Sequence, residues 1–187
     1  MIKSELRHKY KALRASLTEE KADELSLNIA NTLLKMTIWD KNYYHVFLPI
    51  QAQNEVNTDY VLNILQGKDK HCVISKSDFS TYKMTHYLLQ DNTTLKLNNY
   101  GIPEPIDGIE ISTDKLEVVF IPLLAYDTKG HRIGYGKGFY DRFLAGCNPD
   151  CIKIGLSFFK PEPQFSELES TDIKLDYCVT PDKFFKF

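Results

Sequence analysis

Several features that would assign this chain to a particular class of protein are absent from its 187 residues. No apolar stretch approaches the roughly 18 residues of a membrane span. The basic start, MIKSELRHKYKALRAS, lacks the apolar core of a secretory signal. Charge of one sign is not in excess, since 23 basic and 25 acidic residues give a formal net charge of -2. Any anionic ligand must therefore be bound locally, and we predict a cytoplasmic protein with no nucleic-acid and no membrane partner.

Cysteine is scarce and scattered, at Cys72, Cys147, Cys151 and Cys178. A chain of this length buries about 70% of the surface that its unfolded form exposes, so it needs no disulfide or metal to be stable. Thiols stay reduced in the cytosol, and no second Cys or His pair completes a tetrahedral metal site with Cys147 and Cys151. The Gly-x-Ser-x-Gly pattern of a serine nucleophile is missing as well. We predict free thiols, a single domain over 1–187 and a monomer.

Apolar spacing predicts alternating helices and strands. The predicted helices span 3–16, 19–36 with Thr18 as its N-cap, 59–66 and 137–145. The first is amphipathic, and its basic residues lie off the apolar positions: Lys3, Arg7, Lys11 and Arg14. The predicted strands span 43–48, 71–75, 84–89, 116–124, 152–158 and 177–180. The segment 101–105 is too rich in proline for a helix or a strand, and we expect a fixed loop there.

The strand at 116–124 is nearly all apolar, as a strand covered on both faces would be, so it is placed at the buried centre of the sheet. The order of elements predicts a single three-layer α/β domain with a mostly parallel central sheet flanked by helices. Ligands of such domains bind beyond the carboxyl ends of the strands. A glycine-rich segment follows the central strand at that end.

In this segment Gly134, Gly136 and Gly138 alternate over five residues, which permits close approach of the backbone to a ligand. Their N–H groups can converge on an anion, and Arg132 and Lys137 add positive charge. The spacing matches neither the Walker A pattern nor Gly-x-Gly-x-x-Gly, so a plain glycine-rich turn with exposed charges remains the alternative.

A carboxylate, Asp141, follows this basic segment directly. A carboxylate beside bound phosphate is destabilising unless a cation lies between them, and Mg²⁺ binds phosphates through one or two carboxylates plus water. Asp141 is therefore a candidate metal ligand. The alternative is an ordinary charge on a helix surface.

The run Arg132-Ile-Gly-Tyr-Gly-Lys-Gly-Phe-Tyr-Asp141 resembles the motif of the 5-formyltetrahydrofolate cyclo-ligase family, also called 5,10-methenyltetrahydrofolate synthetases. Five further segments match the family in the same order along the chain. They are Lys3-x-x-Leu-Arg7, Glu55-Val-Asn-Thr58, Gly101-Ile-Pro-Glu-Pro105, Ile121-Pro-x-Leu-Ala-Tyr-Asp127 and Ile154-Gly-Leu-Ser-Phe158. Ordered matches over nearly the whole chain are far more specific than the glycine motif alone.

The resemblance implies an enzyme that cyclises 5-formyltetrahydrofolate to 5,10-methenyltetrahydrofolate with ATP and Mg²⁺, releasing ADP and phosphate. It implies catalytic roles for Lys137 and Arg132, and Mg²⁺ ligation by Asp141 and Asp172. The implied ATP-binding residues are Lys3, Arg7, Arg132, Ile133, Gly134, Tyr135, Gly136, Lys137, Gly138, Phe139 and Tyr140. The implied folate-binding residues are Ile50, Glu55, Tyr100, Tyr135, Gly136, Lys137, Gly138 and Phe139.

Three bottom-up considerations bear on these roles. Lys3 and Arg7 lie four residues apart on one helical face and can reach one phosphate chain, although a solvated basic face is the alternative. A buried carboxylate and a stacking ring would suit a pterin. Two other functions stay open from the residues alone: a sugar-phosphate isomerase or acyl-CoA transferase of related fold, and a noncatalytic nucleotide or RNA binder.

Overall fold

The computed structural model describes residues 2–187. Within them it has four α-helices and eleven β-strands, most of them short. The helices are α1 (Lys3–Ala15), α2 (Glu19–Leu33), α3 (Asp59–Gly67) and α4 (Phe139–Ala145). The strands of the main sheet are β1 (Tyr43–His45), β2 (His71–Asp78), β3 (Lys83–Leu88), β6 (Val118–Pro122), β9 (Ile152–Leu156), β10 (Tyr177–Val179) and β11 (Phe184–Lys186). Two small hairpins are formed by β4 (Leu95–Leu97) with β5 (Pro103–Pro105), and by β7 (Ala125–Tyr126) with β8 (Arg132–Ile133).

The main sheet has seven strands in the order β11-β10-β9-β6-β1-β2-β3. Its five inner strands are parallel, and β3 and β11 close the two edges in antiparallel pairing. The centre is β6, whose residues Val118 to Ile121 are fully buried. The predicted α/β fold with a mostly parallel central sheet is confirmed, as is the position of its buried central strand.

Helices cover both faces of this sheet because successive side chains of a strand point to opposite sides. Val118 and Phe120 of β6 pack in one apolar cluster with Ile29 and Leu33 of α2 and with two residues of α3, Val61 and Leu65. Val119 and Ile121 pack in a second cluster with Phe143 and Leu144 of α4. The three layers predicted from the sequence are present.

The prediction of an irregular loop over 101–105 is wrong, since Pro103-Glu104-Pro105 forms β5. Backbone hydrogen bonds flank the hairpin at Asn98 with Ile102 and at Thr94 with Ile106. Because bonded positions alternate in an antiparallel pair, both prolines fall at positions that need no N–H donor. A hairpin can thus include two prolines where a central strand could not.

The other differences concern element boundaries and short strands that were not predicted, among them β4, β7 and β8. Helix α4 begins at Phe139 rather than at Lys137, because Gly138 before it has φ +69°, outside the helical region. Helix α2 ends at Leu33 rather than near Met36, and the edge strand β11 was not predicted. All four cysteines are free, and within residues 2–187 no helix has the length and apolar character needed to span a membrane.

Candidate functional site

A cavity of about 850 Å³ lies beyond the carboxyl ends of β1 and β6, between α1, the segment that follows β8, and the β4–β5 hairpin. This is the end of the sheet at which ligands were expected. Every residue nominated from the sequence lines the cavity: Lys3, Arg7, Ile50, Glu55, Tyr100, Arg132, Ile133, Gly134, Tyr135, Gly136, Lys137, Gly138, Phe139, Tyr140, Asp141 and Asp172. The fold thus brings together residues that are up to 169 positions apart along the chain.

The segment 134–138, which we call the glycine loop, connects β8 to α4 and packs against α1. Gly136 has φ +89°, and a Cβ atom there would lie 3.1 Å from Cζ of Arg7. Arg7 also donates from Nε to the carbonyl of Gly134 at 3.1 Å. Gly138 has φ +69°, and a Cβ there would lie 2.7 Å from Nη1 of Arg142. The positive φ values therefore favour glycine at 136 and 138, where any larger residue would also displace an arginine side chain, whereas Gly134 has open space beside it.

Helix α1 presents Lys3, Arg7 and Lys11 to the cavity at intervals of one turn. One turn further, the structure corrects the sequence-based placement of Arg14, because this side chain is turned inward and the residue is only 5% exposed. Its guanidinium donates to the hydroxyl of Tyr135 at 2.8 Å and also to the carbonyl of Leu123. Burial of an arginine requires such partners, since an unpaired buried charge is strongly destabilising.

Glu55 is the acceptor at the end of this network and lines the cavity while being only 7% exposed. Its Oε1 accepts from the Tyr135 hydroxyl at 2.7 Å, and its Oε2 accepts from the N–H of Ile50 at 2.7 Å. Arg14 Nη1 lies 3.9 Å from Oε1. Burial raises the pKa of Glu55 and outweighs the lowering by Arg14, the Ile50 N–H and the Tyr135 hydroxyl.

Each of the two carboxylates nominated as metal ligands is hydrogen-bonded to a basic side chain in the structure. Asp141 Oδ1 accepts from Arg132 at 2.7 Å and from the N–H of Ile173 at 3.1 Å. Asp172 Oδ2 accepts from Lys3 at 2.8 Å and from the N–H of Glu169 at 2.9 Å. Although burial alone would raise the pKa of Asp172, the Glu169 N–H and Lys3 lower it overall.

The carboxylate oxygens of Asp141 and Asp172 that accept no hydrogen bond from the protein are suitable ligands for a hard cation. In the hydrogen bonds of residues 2–187, Asp141 uses only Oδ1 and Asp172 uses only Oδ2, so each carboxylate keeps one oxygen without a protein donor. No group of three or more His, Cys, Asp or Glu side chains is arranged for a metal within the same residues. Such a pair fits Mg²⁺, which takes one or two carboxylates and completes its shell with water and phosphate oxygens.

The other wall of the cavity is apolar and aromatic. Tyr100 stacks on Phe79 with ring centroids 4.0 Å apart and planes inclined by 20°, and Phe79 meets Phe139 edge to face at 5.0 Å. Tyr100 remains 59% exposed, so its outer face is open. The rest of this wall consists of Phe47, Leu48, Ile50, Met84 and Ile102.

Sequence reasoning missed several residues that line the cavity or hold its walls. They include Lys11, Arg14, His45, Ser75, Phe79 and Arg142. Lys11 shares the helical spacing of Lys3 and Arg7, and this signal would have found it. The positions of His45 and Ser75 inside predicted strands carried no signal, because only the sheet register shows that β1 and β2 end at the cavity.

Comparisons with known proteins agree over nearly the whole chain. A family model described as the 5-formyltetrahydrofolate cyclo-ligase family matches residues 1–181. The 5-formyltetrahydrofolate cyclo-ligase of Haemophilus influenzae is 27% identical over 92% of this chain and 94% of its own, and that of Mycoplasma genitalium is 29% identical over 95% and 96%. The solved structure of Aquifex aeolicus 5,10-methenyltetrahydrofolate synthetase superposes with a TM-score of 0.81 at 26% identity, covering 100% of this chain and 93% of that one.

The Arg14–Tyr135–Glu55 network generates a prediction on stability. Arg14→Met removes the charge that faces buried Glu55, and we expect the free energy of unfolding at pH 7.5 to fall by about 3 kcal/mol. Because burial holds the pKa of folded Glu55 above its unfolded value, the carboxyl is protonated and neutral at lower pH and then needs no countercharge. The loss should therefore shrink at pH 5.

Urea unfolding at the two pH values, followed by circular dichroism, measures this difference. Arg142→Met, at an exposed arginine, is the matched control and should change stability by less than about 1 kcal/mol at either pH. Equal losses for Arg14→Met at pH 5 and pH 7.5 would contradict the electrostatic account of the network.

Proposed function

The chain belongs to the 5-formyltetrahydrofolate cyclo-ligase family, ATP-dependent ligases that form 5,10-methenyltetrahydrofolate, and we propose that the cavity described above is where it carries out this reaction. One observation carries the proposal: a single cavity is lined by cations, by glycine backbone, by a buried carboxylate and by aromatic rings. The cations and glycines match the chemistry of ATP, and the carboxylate and the rings match that of a reduced pterin. No observation favours the isomerase, acyl-transferase or noncatalytic alternatives.

The proposed reaction needs no nucleophile from the protein. The formyl oxygen attacks the γ-phosphorus of ATP and ADP leaves. N10 then attacks the activated formyl carbon, loses its proton, and phosphate departs with the former formyl oxygen. Phosphoryl transfer of this kind depends mainly on positioning and on neutralising charge, which is what a site of lysine, arginine and backbone N–H groups supplies.

For the nucleotide, we propose that the phosphate chain lies between α1 and the glycine loop. Within residues 2–187, the ammonium groups of Lys11 and Lys137 and the guanidinium of Arg7 make no ion pair, so they are available to phosphate oxygens. Arg132 and Lys3 already hold Asp141 and Asp172, and we propose that they share their charge with phosphate when ATP binds.

For the metal, we propose that Mg²⁺ binds through the two carboxylate oxygens of Asp141 and Asp172 that have no protein donor. The ion supplies charge neutralisation for the phosphates when it is bound. The role of the protein is to hold the two carboxylates in place. Arg132 and the Ile173 N–H do this for Asp141, and Lys3 and the Glu169 N–H do it for Asp172.

For the folate, we propose that Glu55 accepts N–H groups of the pterin and that Tyr100 stacks on one of the substrate's rings. A carboxylate has about four acceptor positions, and the Tyr135 hydroxyl and the Ile50 N–H occupy two of them. The outer face of Tyr100 is open, and its inner face is fixed on Phe79. The apolar wall around them would exclude water from the activated formyl carbon.

We also propose a cytoplasmic monomer. Four free thiols suit a reducing compartment. The cations, the glycine loop, Glu55 and the aromatic rings assigned above to ATP and folate all come from one chain. Size-exclusion chromatography with light scattering would determine the oligomeric state.

The activity itself can be measured directly. Purified protein with 5-formyltetrahydrofolate, ATP and Mg²⁺ is expected to develop the near-ultraviolet absorbance of the methenyl product, with one ADP formed per product. Omission of ATP should abolish the change. If the protein binds ATP but no methenyl absorbance appears, the proposed function is wrong.

Substitution of Lys137 and of Arg132 tests their proposed roles through the KM for ATP and through thermal stability. Lys137→Ala and Arg132→Ala each remove a charge-assisted contact to phosphate worth about 1.5–3 kcal/mol. Each should therefore raise the KM for ATP by about tenfold or more. Lys137 is exposed and makes no ion pair within residues 2–187, so Lys137→Ala should keep wild-type stability. Arg132→Ala also removes the ion pair with Asp141, so it should unfold at a lower temperature. Lys129→Ala, at an exposed turn outside the cavity, is the control. An unchanged KM for ATP in both cavity variants would remove the glycine loop from the nucleotide site.

The shared Mg²⁺ site is tested by Asp141→Asn and Asp172→Asn. Each keeps the size of the side chain while removing one negative charge that would face the ion, so the half-saturating Mg²⁺ concentration should rise and excess Mg²⁺ should partly restore turnover. In the double variant the two effects should not simply add, because the residues share one ligand. Asp91→Asn, on an exposed turn, is the control. Mg²⁺ titration curves that coincide with wild type for both variants would exclude the shared site.

A further inference from the structure

Two buried histidines flank a serine in the wall of the cavity. Ser75 Oγ lies 2.6 Å from Nε2 of His45 and 2.8 Å from Nδ1 of His86. The three residues come from β1, β2 and β3: Ser75 is paired with His86, and His45 is paired with Val73, two residues before Ser75 on the same face of β2. The two histidines are 0% and 3% exposed, yet His45 and Ser75 line the cavity. None of the roles proposed above uses this group.

Hydrogen-bond accounting leaves one position on the Ser75 hydroxyl for a ligand. A serine hydroxyl offers one proton and two lone pairs, and the two histidine contacts occupy two of these three. Among the atoms of residues 2–187, Nε2 of His86 has no partner, and the ring of His45 faces the backbone of Phe120 on its other side. Both rings are buried, whereas Ser75 borders the cavity, so the unused position of its hydroxyl is the one that a ligand can reach.

The chemistry of the group favours a neutral polar ligand over phosphate. Burial lowers the pKa of both histidines, to about 4 for His86, so the rings are uncharged at neutral pH. Uncharged aromatic rings pack against both histidines, since Tyr140 and Phe143 lie edge to face with His45 and Phe143 lies 4.1 Å from His86 between ring centroids. A few placed polar groups on an otherwise apolar wall typically fix the orientation of a bound ring.

We propose that Ser75 determines how the pteridine ring is held: its hydroxyl, oriented by His45 and His86, makes one hydrogen bond to the polar edge of that ring. His45 and His86 are then positioning residues, because they fix the hydroxyl rotamer in advance and so reduce the cost of ordering it on binding. This inference rests on the proposed function and adds to it a contact for the substrate ring.

Ser75→Ala tests the contact. Loss of the hydroxyl leaves a polar group of the ring unpaired in a buried place, so the KM for 5-formyltetrahydrofolate should rise about fivefold or more. The dissociation constant of 5-formyltetrahydrofolate, measured by calorimetry without ATP, should rise by the same factor. The kcat and the KM for ATP should stay within about twofold. In wild type, adding 5-formyltetrahydrofolate alone should shift the ring-nitrogen resonances of His45 and His86, whereas ATP alone should not.

The matched control is Ser26→Ala, which removes a buried serine hydroxyl that also makes two hydrogen bonds, to the Ala22 carbonyl and from the Asn57 N–H, outside the cavity. It should lower stability without changing the KM for folate. If Ser75→Ala does not fold, Ser75→Cys keeps the shape of the side chain with a weaker donor and acceptor, and its KM for folate should still rise.

The outcomes separate this inference from the proposed function. A wild-type protein without methenyl product overturns both. An active wild type with an unchanged KM for folate in the folded variant overturns the Ser75 contact alone. A rise in the KM for ATP instead would overturn it as well and would assign Ser75 to the adenine ring.

Discussion

Burying the Glu55 carboxyl between α1 and the glycine loop costs desolvation free energy, and the contacts that offset this cost connect three separate segments of the chain. The Tyr135 hydroxyl comes from the glycine loop, the Arg14 guanidinium from α1, and the Ile50 N–H from the segment that precedes Glu55. Asn54 adds a further connection, since its side-chain amide donates to the carbonyls of Arg14 and Leu17 at the end of α1. The two proposed substrate walls are therefore fixed to each other through one acidic side chain.

This arrangement explains which parts of the fold and the site were predictable. The central strand β6 and the α/β order follow from apolar runs and helical spacing, which are local properties of the sequence. The inward turn of Arg14 is not local, because a basic residue off the apolar stripe looks the same whether it faces water or Tyr135. Likewise β5 depends on a hairpin whose bonded positions avoid both prolines, and that register becomes visible only when β4 is in place.

The candidate site divides in the same way. Lys3, Arg7, Glu55 and Asp141 were nominated through motifs, and the structure gathers them in one cavity. Ser75 and His45 belong to no motif and lie within β2 and β1, so only the parallel pairing of those strands reveals them. When the role of a residue depends on the register of a sheet, the sequence around that residue does not identify it as part of a site.

The ion pairs around the cavity address a conflict that the proposed reaction creates. Acidic side chains are needed beside a polyanionic ligand if they are to hold a cation, yet without ligand they would repel each other and the incoming phosphates. Pairing Asp141 with Arg132 and Asp172 with Lys3 keeps both carboxylates oriented, while each retains one oxygen without a protein donor. The same cations lie where phosphate would approach, so binding requires redistribution of charge among groups already in position rather than their recruitment from water. Preorganised charge of this kind is effective in phosphoryl transfer. The charged groups need to move little when the phosphoryl group passes from the leaving oxygen to the attacking oxygen.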